Sequence, residues 1–165
     1  MFFRFWIAKF AYFHKVKPYY FIFLFILGAC SLSPDQETSL NKAMTMYVNA
    51  RNEGGVMACV AYTLPAAVAH YTAMGDSVFK ARYDLSSVND NPFLKDGTIV
   101  EIESDGSRLH VKYNFLSLAP LYSDERSKEV YLFAISEDDG VSWFFIDEED
   151  YFDTNIIKEK DRLIK

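Results

Sequence analysis

Thr98-Ile99-Val100-Glu101-Ile102-Glu103-Ser104-Asp105-Gly106-Ser107-Arg108-Leu109-His110-Val111-Lys112-Tyr113-Asn114-Phe115 is the stretch that decides the fold. Val100 and Ile102 alternate with Glu101 and Glu103, and Leu109, Val111, Tyr113 and Phe115 alternate with His110, Lys112 and Asn114. A period of two sends successive side chains to opposite faces, so these are two strands, and Asp105-Gly106 between them signals a hairpin. On this alternation His110 shares the solvent face of Lys112. Downstream, Pro120 to Lys128 is a polar loop, and Val130–Ile135 and Val141–Ile146 make a second strand pair around Asp138-Asp139-Gly140. Tyr131, Phe133 and Ile135 on one face against Leu132 and Ala134 on the other call for a sheet covered on both sides. The acidic run Asp147 to Asp153 reads as a solvated loop, followed by a closing helix from Thr154 through Leu163. Upstream, Asn91-Pro92 and Asp96-Gly97 read as turns.

The period changes before residue 84. Leu40, Met44, Tyr47 and Val48 recur at helical spacing, with Thr38 or Ser39 as cap and Gly54-Gly55 as stop. Val56 to Leu64 is a second helix. Pro65 opens a third, in which Ala67, Val68, Tyr71 and Met74 form the apolar face and Gly75 the end. Asp76 caps one or two further turns through Phe79 and Tyr83. Helices followed by antiparallel strands predict an α+β domain, its N-terminal helices packed on a curved antiparallel sheet.

The first thirty residues follow different rules. Arg4, Lys9, Lys15 and Lys17 precede the wholly apolar run Tyr19 to Leu27, and no acidic residue occurs before Asp35. A basic flank, a short apolar core and then small residues is the order of a secretory signal, and the core is about half the roughly 20 residues needed to span a bilayer. Leu27-Gly28-Ala29-Cys30 closes it. These four residues resemble the lipobox of bacterial lipoproteins, which implies cleavage before Cys30 and a diacylglycerol on its thiol. The alternative is an uncleaved interfacial helix built on Phe2, Phe3, Phe5, Trp6 and Phe10. The organisation expected is a signal peptide over 1–29, a tether over 30–38 and one domain over 39–165. Lipidated Cys30 places the protein in the cell envelope, membrane lipid being its first partner. Ser31 rather than Asp after the cysteine implies the outer membrane by resemblance to enterobacterial sorting.

Removing residues 1–29 takes four of the 17 basic residues and none of the 23 acidic ones, leaving 13 against 23 and a net charge of −10. That excess argues against nucleic acid and against electrostatic docking on anionic lipid. Cys59, in an apolar stretch, is the one other cysteine, so a lipidated Cys30 leaves no intrachain disulfide. With His70 and His110 as the remaining histidines, neither a metal site nor a cofactor is expected.

The order of helices and long strands resembles the NTF2-like (cystatin-like, SnoaL-like) superfamily, and more narrowly its Bacteroidetes lipoproteins. The resemblance rests on Tyr62-Thr63-Leu64-Pro65-Ala66-Ala67-Val68 and on Phe133 through Phe145. It implies a cone enclosed between sheet and helices, and pairing of sheet faces into a homodimer. The superfamily hosts isomerases, dehydratases and association domains alike, so fold does not fix function.

Within such a cone the weak pocket candidates are Tyr47, His70, Tyr71 and Tyr113, with His110 and Asp84 behind them. Ordinary packing accounts for Tyr47 and Tyr71 as well as catalysis does. Ser136-Glu137-Asp138-Asp139-Gly140-Val141-Ser142-Trp143 resembles the Asp-box hairpin of sialidase-like propellers, which there is structural. Ser136, Asp138, Gly140, Ser142 and Trp143 are accordingly read as a braced hairpin. The functional expectation is a lipid-anchored, non-enzymatic domain binding an unknown protein or small molecule. The alternatives are a SnoaL- or ketosteroid-isomerase-like enzyme with a small apolar pocket, and an immunity-type periplasmic lipoprotein.

Overall fold

The computed structural model describes residues 31–53, 55–83, 93–118 and 128–165. Cys30, Asp84, the Asn91-Pro92 turn and most of the Pro120–Lys128 loop lie outside them. The chain divides into two compact units, Met1–Ser31 and Leu32–Lys165, and the second holds every element named below.

Helix α1, Pro34–Asn52, is capped at Ser33, earlier than the expected cap at Thr38 or Ser39. Ser33 is the cap: its Oγ accepts from the Gln36 N–H at 3.3 Å, and its own N–H donates to Gln36 Oε1 at 2.8 Å. Pro34 at the first position, with Asp35 and Glu37 in the first turn, suits the positive end of the helix. The stretch expected to be tether is thus the helix's first turn, and only residues 31–33 separate it from Cys30. Three short helices follow: α2 (Val56–Tyr62), α3 (Pro65–Ala73) and α4 (Asp76–Tyr83).

The fold is α+β, with one antiparallel sheet in the order β1-β2-β3-β4: Phe93–Asp105, Arg108–Leu118, Lys128–Ser136 and Phe144–Asp147. Asp105-Gly106 forms the first hairpin, Gly106 taking a φ of 63°. Asp96-Gly97 is no turn between elements, contrary to its reading in the sequence. It sits inside β1 as an irregularity between Lys95 and Thr98, with Asp96 at φ 55°. The Phe115 ring explains why glycine follows, because a Cβ at Gly97 would lie 2.4 Å from its Cε1. A second register shift, between Ile99 and Glu101, further disrupts this exposed edge strand, a common defence against edge-to-edge pairing. The opposite edge is partly covered: Thr63 bridges to Phe145, and the Leu64 N–H donates to the Phe145 carbonyl at 3.0 Å.

Alternate strand residues enter two separate cores. Val111, Tyr113, Phe115, Leu132, Ala134 and Phe145 join Leu40, Met44 and Tyr47 of α1, where the Tyr47 and Phe145 rings stack at 4.8 Å. Phe133, Ile135 and Ile146 join Ala67, Tyr151, Ile157 and Ile164. There Phe133 and Tyr151 stack at 3.8 Å, nearly parallel. Each such fully buried ring contributes about 1.5–3 kcal/mol. Both faces of β3 are therefore dry from Leu132 to Ser136, as the mixed apolar pattern of Tyr131 to Ile135 requires, whereas Glu129 is exposed and Val130 and Tyr131 are half-buried.

The C-terminal part differs from its reading in the sequence. Residues 137–143 form the β3–β4 connection, so β4 is only four residues long. The acidic run is a short helix, α5 (Glu148–Phe152), rather than a solvated loop, and Asp150 and Tyr151 in it are buried. The closing helix is absent, and the chain from Asn155 runs as turns with one 3-10 turn, Glu159–Asp161. Asp153 Oδ1 accepts from both the backbone and side-chain nitrogens of Asn155, a local turn that competes with helix initiation. Arg162 then ties the segment back by donating to the carbonyls of Phe152 and Ile157.

Candidate functional site

The β3–β4 connection is braced at both ends. Ser136 Oγ donates to Asp138 Oδ1 at 2.8 Å and accepts from the Gly140 N–H at 2.9 Å, while Asp138 Oδ1 also accepts from the Ser142 N–H at 2.8 Å. Gly140 has a φ of 81°, and a Cβ on it would lie 2.6 Å from Gln36 Cγ, so a larger residue would have to push α1 away. Trp143 is buried beneath, its Nε1 donating to Ser39 Oγ at 2.9 Å and to the Gly140 carbonyl at 3.0 Å. The Ser39 hydroxyl also donates to that carbonyl. Gln36 Nε2 completes the clamp on the carbonyl and carboxylate of Asp139, at 3.1 and 2.9 Å. Ser136 and Asp138 thus brace the connection internally, while Asp139, Gly140 and Trp143 hold it to the start of α1.

A second network joins five elements at the other end of α1: α1 itself, α3, α4, β4 and α5. Arg51 Nη1 donates to Asp147 Oδ1 at 2.7 Å and to the Tyr47 hydroxyl at 3.2 Å. Arg82, on α4, donates to Asp147 Oδ2 at 2.6 Å and to Asp150 Oδ2 at 2.5 Å. Tyr71, on α3, donates to Asp150 Oδ1 at 2.5 Å and lies 5.4 Å beneath the Arg82 guanidinium. Two carboxylates shared by two guanidiniums make charge-assisted bonds, the strong kind. Burial alone would raise the Asp147 carboxyl. Attraction to Arg51 and Arg82 outweighs it and holds Asp147 below the usual carboxylate range. Burial pushes the Tyr47 phenol up, and burial with the bond to Asp150 pushes Tyr71 up to about 12.

A cleft of about 360 Å³ opens over this network, with Arg51, Arg82 and Asp147 in its lining. Leu94, Val130 and Tyr131 supply apolar wall, and Glu129, Glu148 and Glu149 line it as well. Asn52 fixes one side by exchanging two bonds with the Leu94 backbone, at 3.1 and 3.2 Å. Lys112 lies nearby, 3.2 Å from Glu148 and 4.2 Å over the Tyr131 ring. The chemistry available is binding: neutralised carboxylates below, three further glutamates and an aromatic surface around them.

The four pocket candidates do not meet in one place. Tyr47 and Tyr71 belong to the same ion network, at opposite ends of it. Tyr113 lies in the first core, its hydroxyl buried without a hydrogen-bond partner among the described residues. His70 is half-buried and touches Tyr71 edge-on at 5.2 Å. His110 overturns its expected exposure: it is 2 % exposed, beneath Tyr151 and the C-terminal segment. Its Nδ1 lies 2.7 Å from the Tyr151 hydroxyl and 3.4 Å from the Leu163 N–H, while that hydroxyl accepts from the Ile164 N–H at 3.1 Å. The backbone N–H at Leu163 requires Nδ1 to be the acceptor, so Tyr151 donates to it and the ring is neutral with its proton on Nε2. Burial, helped by Arg108, lowers its pKa to about 4.

Arg51, Arg82, Asp147 and Asp150 escaped sequence reasoning. Their one signal was two isolated arginines on helical segments and an acidic run beside aromatic Tyr151. Cys59 is free and buried, and burial raises its thiol pKa. Among the described residues no group of three His, Cys, Asp or Glu is placed to hold a metal ion, and no helix is long and apolar enough to cross a membrane. The chain matches no family model, and no curated protein or solved structure matches it.

Proposed function

We propose that this chain is a lipid-anchored envelope protein whose acidic domain binds a partner and performs no covalent chemistry. The domain is read as NTF2-like, with helices lying on a curved sheet around a filled rather than hollow cone. The observation that carries the reading is the state of the groups an enzyme would use. Tyr47, Tyr71, Asp147 and His110 are each bound to a neighbour in the fold, and Asp147 has its proton affinity lowered, the wrong direction for a general base. Beside them, Glu129 and Glu149 line the cleft with Leu94 and Val130, and Lys112, seated over Tyr131 and against Glu148, is the kind of basic side chain that such a surface suits. That acidic lining also favours, as a second reading, an immunity-type role against a basic protein.

The test is photo-crosslinking in intact cells. A photoreactive residue at Tyr131 is expected to give a discrete adduct that disappears when Glu129→Lys and Glu148→Lys are added, while the same residue at Asp105, away from the cleft, gives none. Equal adducts from both positions, or an adduct indifferent to the charge reversals, would contradict binding at this cleft.

A further inference from the structure

His110 spends only one of its two ring nitrogens on the fold. Nδ1 accepts from the Tyr151 hydroxyl and the Leu163 N–H, which leaves the ring proton on Nε2. That N–H has no hydrogen-bond partner among the described residues, yet Nε2 is not one of the unpaired polar atoms sealed in the core. His110 is 2 % exposed, and it lines a cleft of about 350 Å³. Its small remaining opening is onto that cleft, so a buried donor looks into it unpaired. A donor this desolvated is costly to leave without an acceptor.

The sheet sets charged groups around this donor. Arg108 and His110 share a face of β2, and Ile135 stands opposite His110 on β3, with Glu137 two residues further on. The C-terminal segment closes the other side with Ile156, Ile157, Lys158 and Asp161, and Leu64, just ahead of α3, completes the apolar wall. Arg108 is ion-paired with Asp105, while Glu137 and Asp161 act on it from further away. Two cations, Arg108 and Lys158, thus stand against three carboxylates, Asp105, Glu137 and Asp161. A simple anion would be repelled by that excess of negative charge. A simple cation would leave the His110 N–H without an acceptor. Both demands are met by a positive group beside an oxygen acceptor, carried on an apolar body.

We propose that this cleft binds an aliphatic α-amino acid unit, its ammonium toward Glu137 and Asp161, its carbonyl or carboxylate oxygen on His110 Nε2–H, and its side chain against Leu64, Ile135 and Ile156. A free amino acid and the first residue of a peptide both present this chemistry. At about 350 Å³ the cleft is at the small end for ligand sites, with room for one such unit rather than a long chain. It shares no lining residue with the cleft over the Arg51–Arg82–Asp147 network. It is therefore a second site, and it stands whether or not Cys30 is acylated.

The experiment uses the full chain in detergent, labelled with nitrogen-15 histidine and carrying His14→Gln and His70→Gln, so that His110 is its sole histidine. The probes are leucine, leucinamide, isocaproate, which lacks the ammonium, and isoamylamine, which lacks the oxygen. Leucine is expected to move the Nε2 resonance saturably, and isocaproate and isoamylamine to bind about tenfold more weakly. Glu137→Gln with Asp161→Asn should lower the leucine affinity by about tenfold as well. Glu137 is exposed and Asp161 half-buried, so the double variant leaves the core intact. Leucine binding more tightly than leucinamide supports the proposal with a free amino acid as occupant, and the reverse order supports it with a peptide amino terminus. Isocaproate or isoamylamine binding as tightly as leucine overturns it, as does an affinity indifferent to the two carboxylates. An Nε2 resonance that none of the probes moves overturns the site itself.

Discussion

Asp147→Ala is expected to destabilise the domain by about 3 kcal/mol in urea unfolding, more than any other single charge removal in the network. The reason is what it leaves behind. Arg51 and Arg82 both place a guanidinium nitrogen on this carboxylate, with side chains only 19 % and 26 % exposed. Removing the shared anion strands two partly buried cations, which costs more than the pair contributes. Replacing charge and counter-charge together is the control: Arg51→Met with Asp147→Leu should recover part of the loss, Arg82 retaining Asp150. A loss below about 1 kcal/mol for Asp147→Ala would mean that the contacts behave as surface ion pairs. The pH dependence has a definite sign. Because the folded carboxyl titrates below its unfolded value, its stabilisation is complete above the ordinary Asp range and is lost as pH falls through the lowered folded value.

His110 should produce the opposite starting point and a steeper loss in mild acid. Its folded pKa is about 4 against an ordinary value of 6.5. Between those two values the unfolded chain binds a proton that the folded chain refuses, so stability declines as pH falls from 6.5 to 4 and levels off below. The full shift corresponds to about 3 kcal/mol, spread over that interval. His110→Gln keeps an acceptor for the Tyr151 hydroxyl but cannot titrate, so its stability should be flatter over the same range by close to one proton. Parallel pH profiles for parent and variant would show that His110 is not held neutral in the fold.

What the sequence revealed followed from local rules, and what it hid came from tertiary contacts. The alternation from Thr98 to Phe115 placed two strands and the Gly106 hairpin because period and turn chemistry act within a few residues. The Ser136–Trp143 motif was legible for the same reason, its bonds spanning two to four positions. His110 was misplaced because its neighbour Lys112 suggested a wet face. Lys112 reaches water past Tyr131 and Phe133, while α5 and Ile164 close over His110 on the same side. The ion network was invisible, since Arg51 and Arg82 are separated by long stretches of chain from each other and from Asp147 and Asp150, and the four carry no motif. Thr154–Leu163 has the composition of a helix. Asp153 and Arg162 spend their bonds on a turn and on backbone carbonyls instead.

The proposed anchor depends on chemistry at a single sulfur. Intact-mass spectrometry of the protein extracted from membranes tests it most directly. The expected species begins at Cys30, lacks residues 1–29 and carries the added mass of a thioether-linked diacylglycerol. A chain that retains Met1 with an unmodified Cys30 thiol would contradict the anchor and the location together.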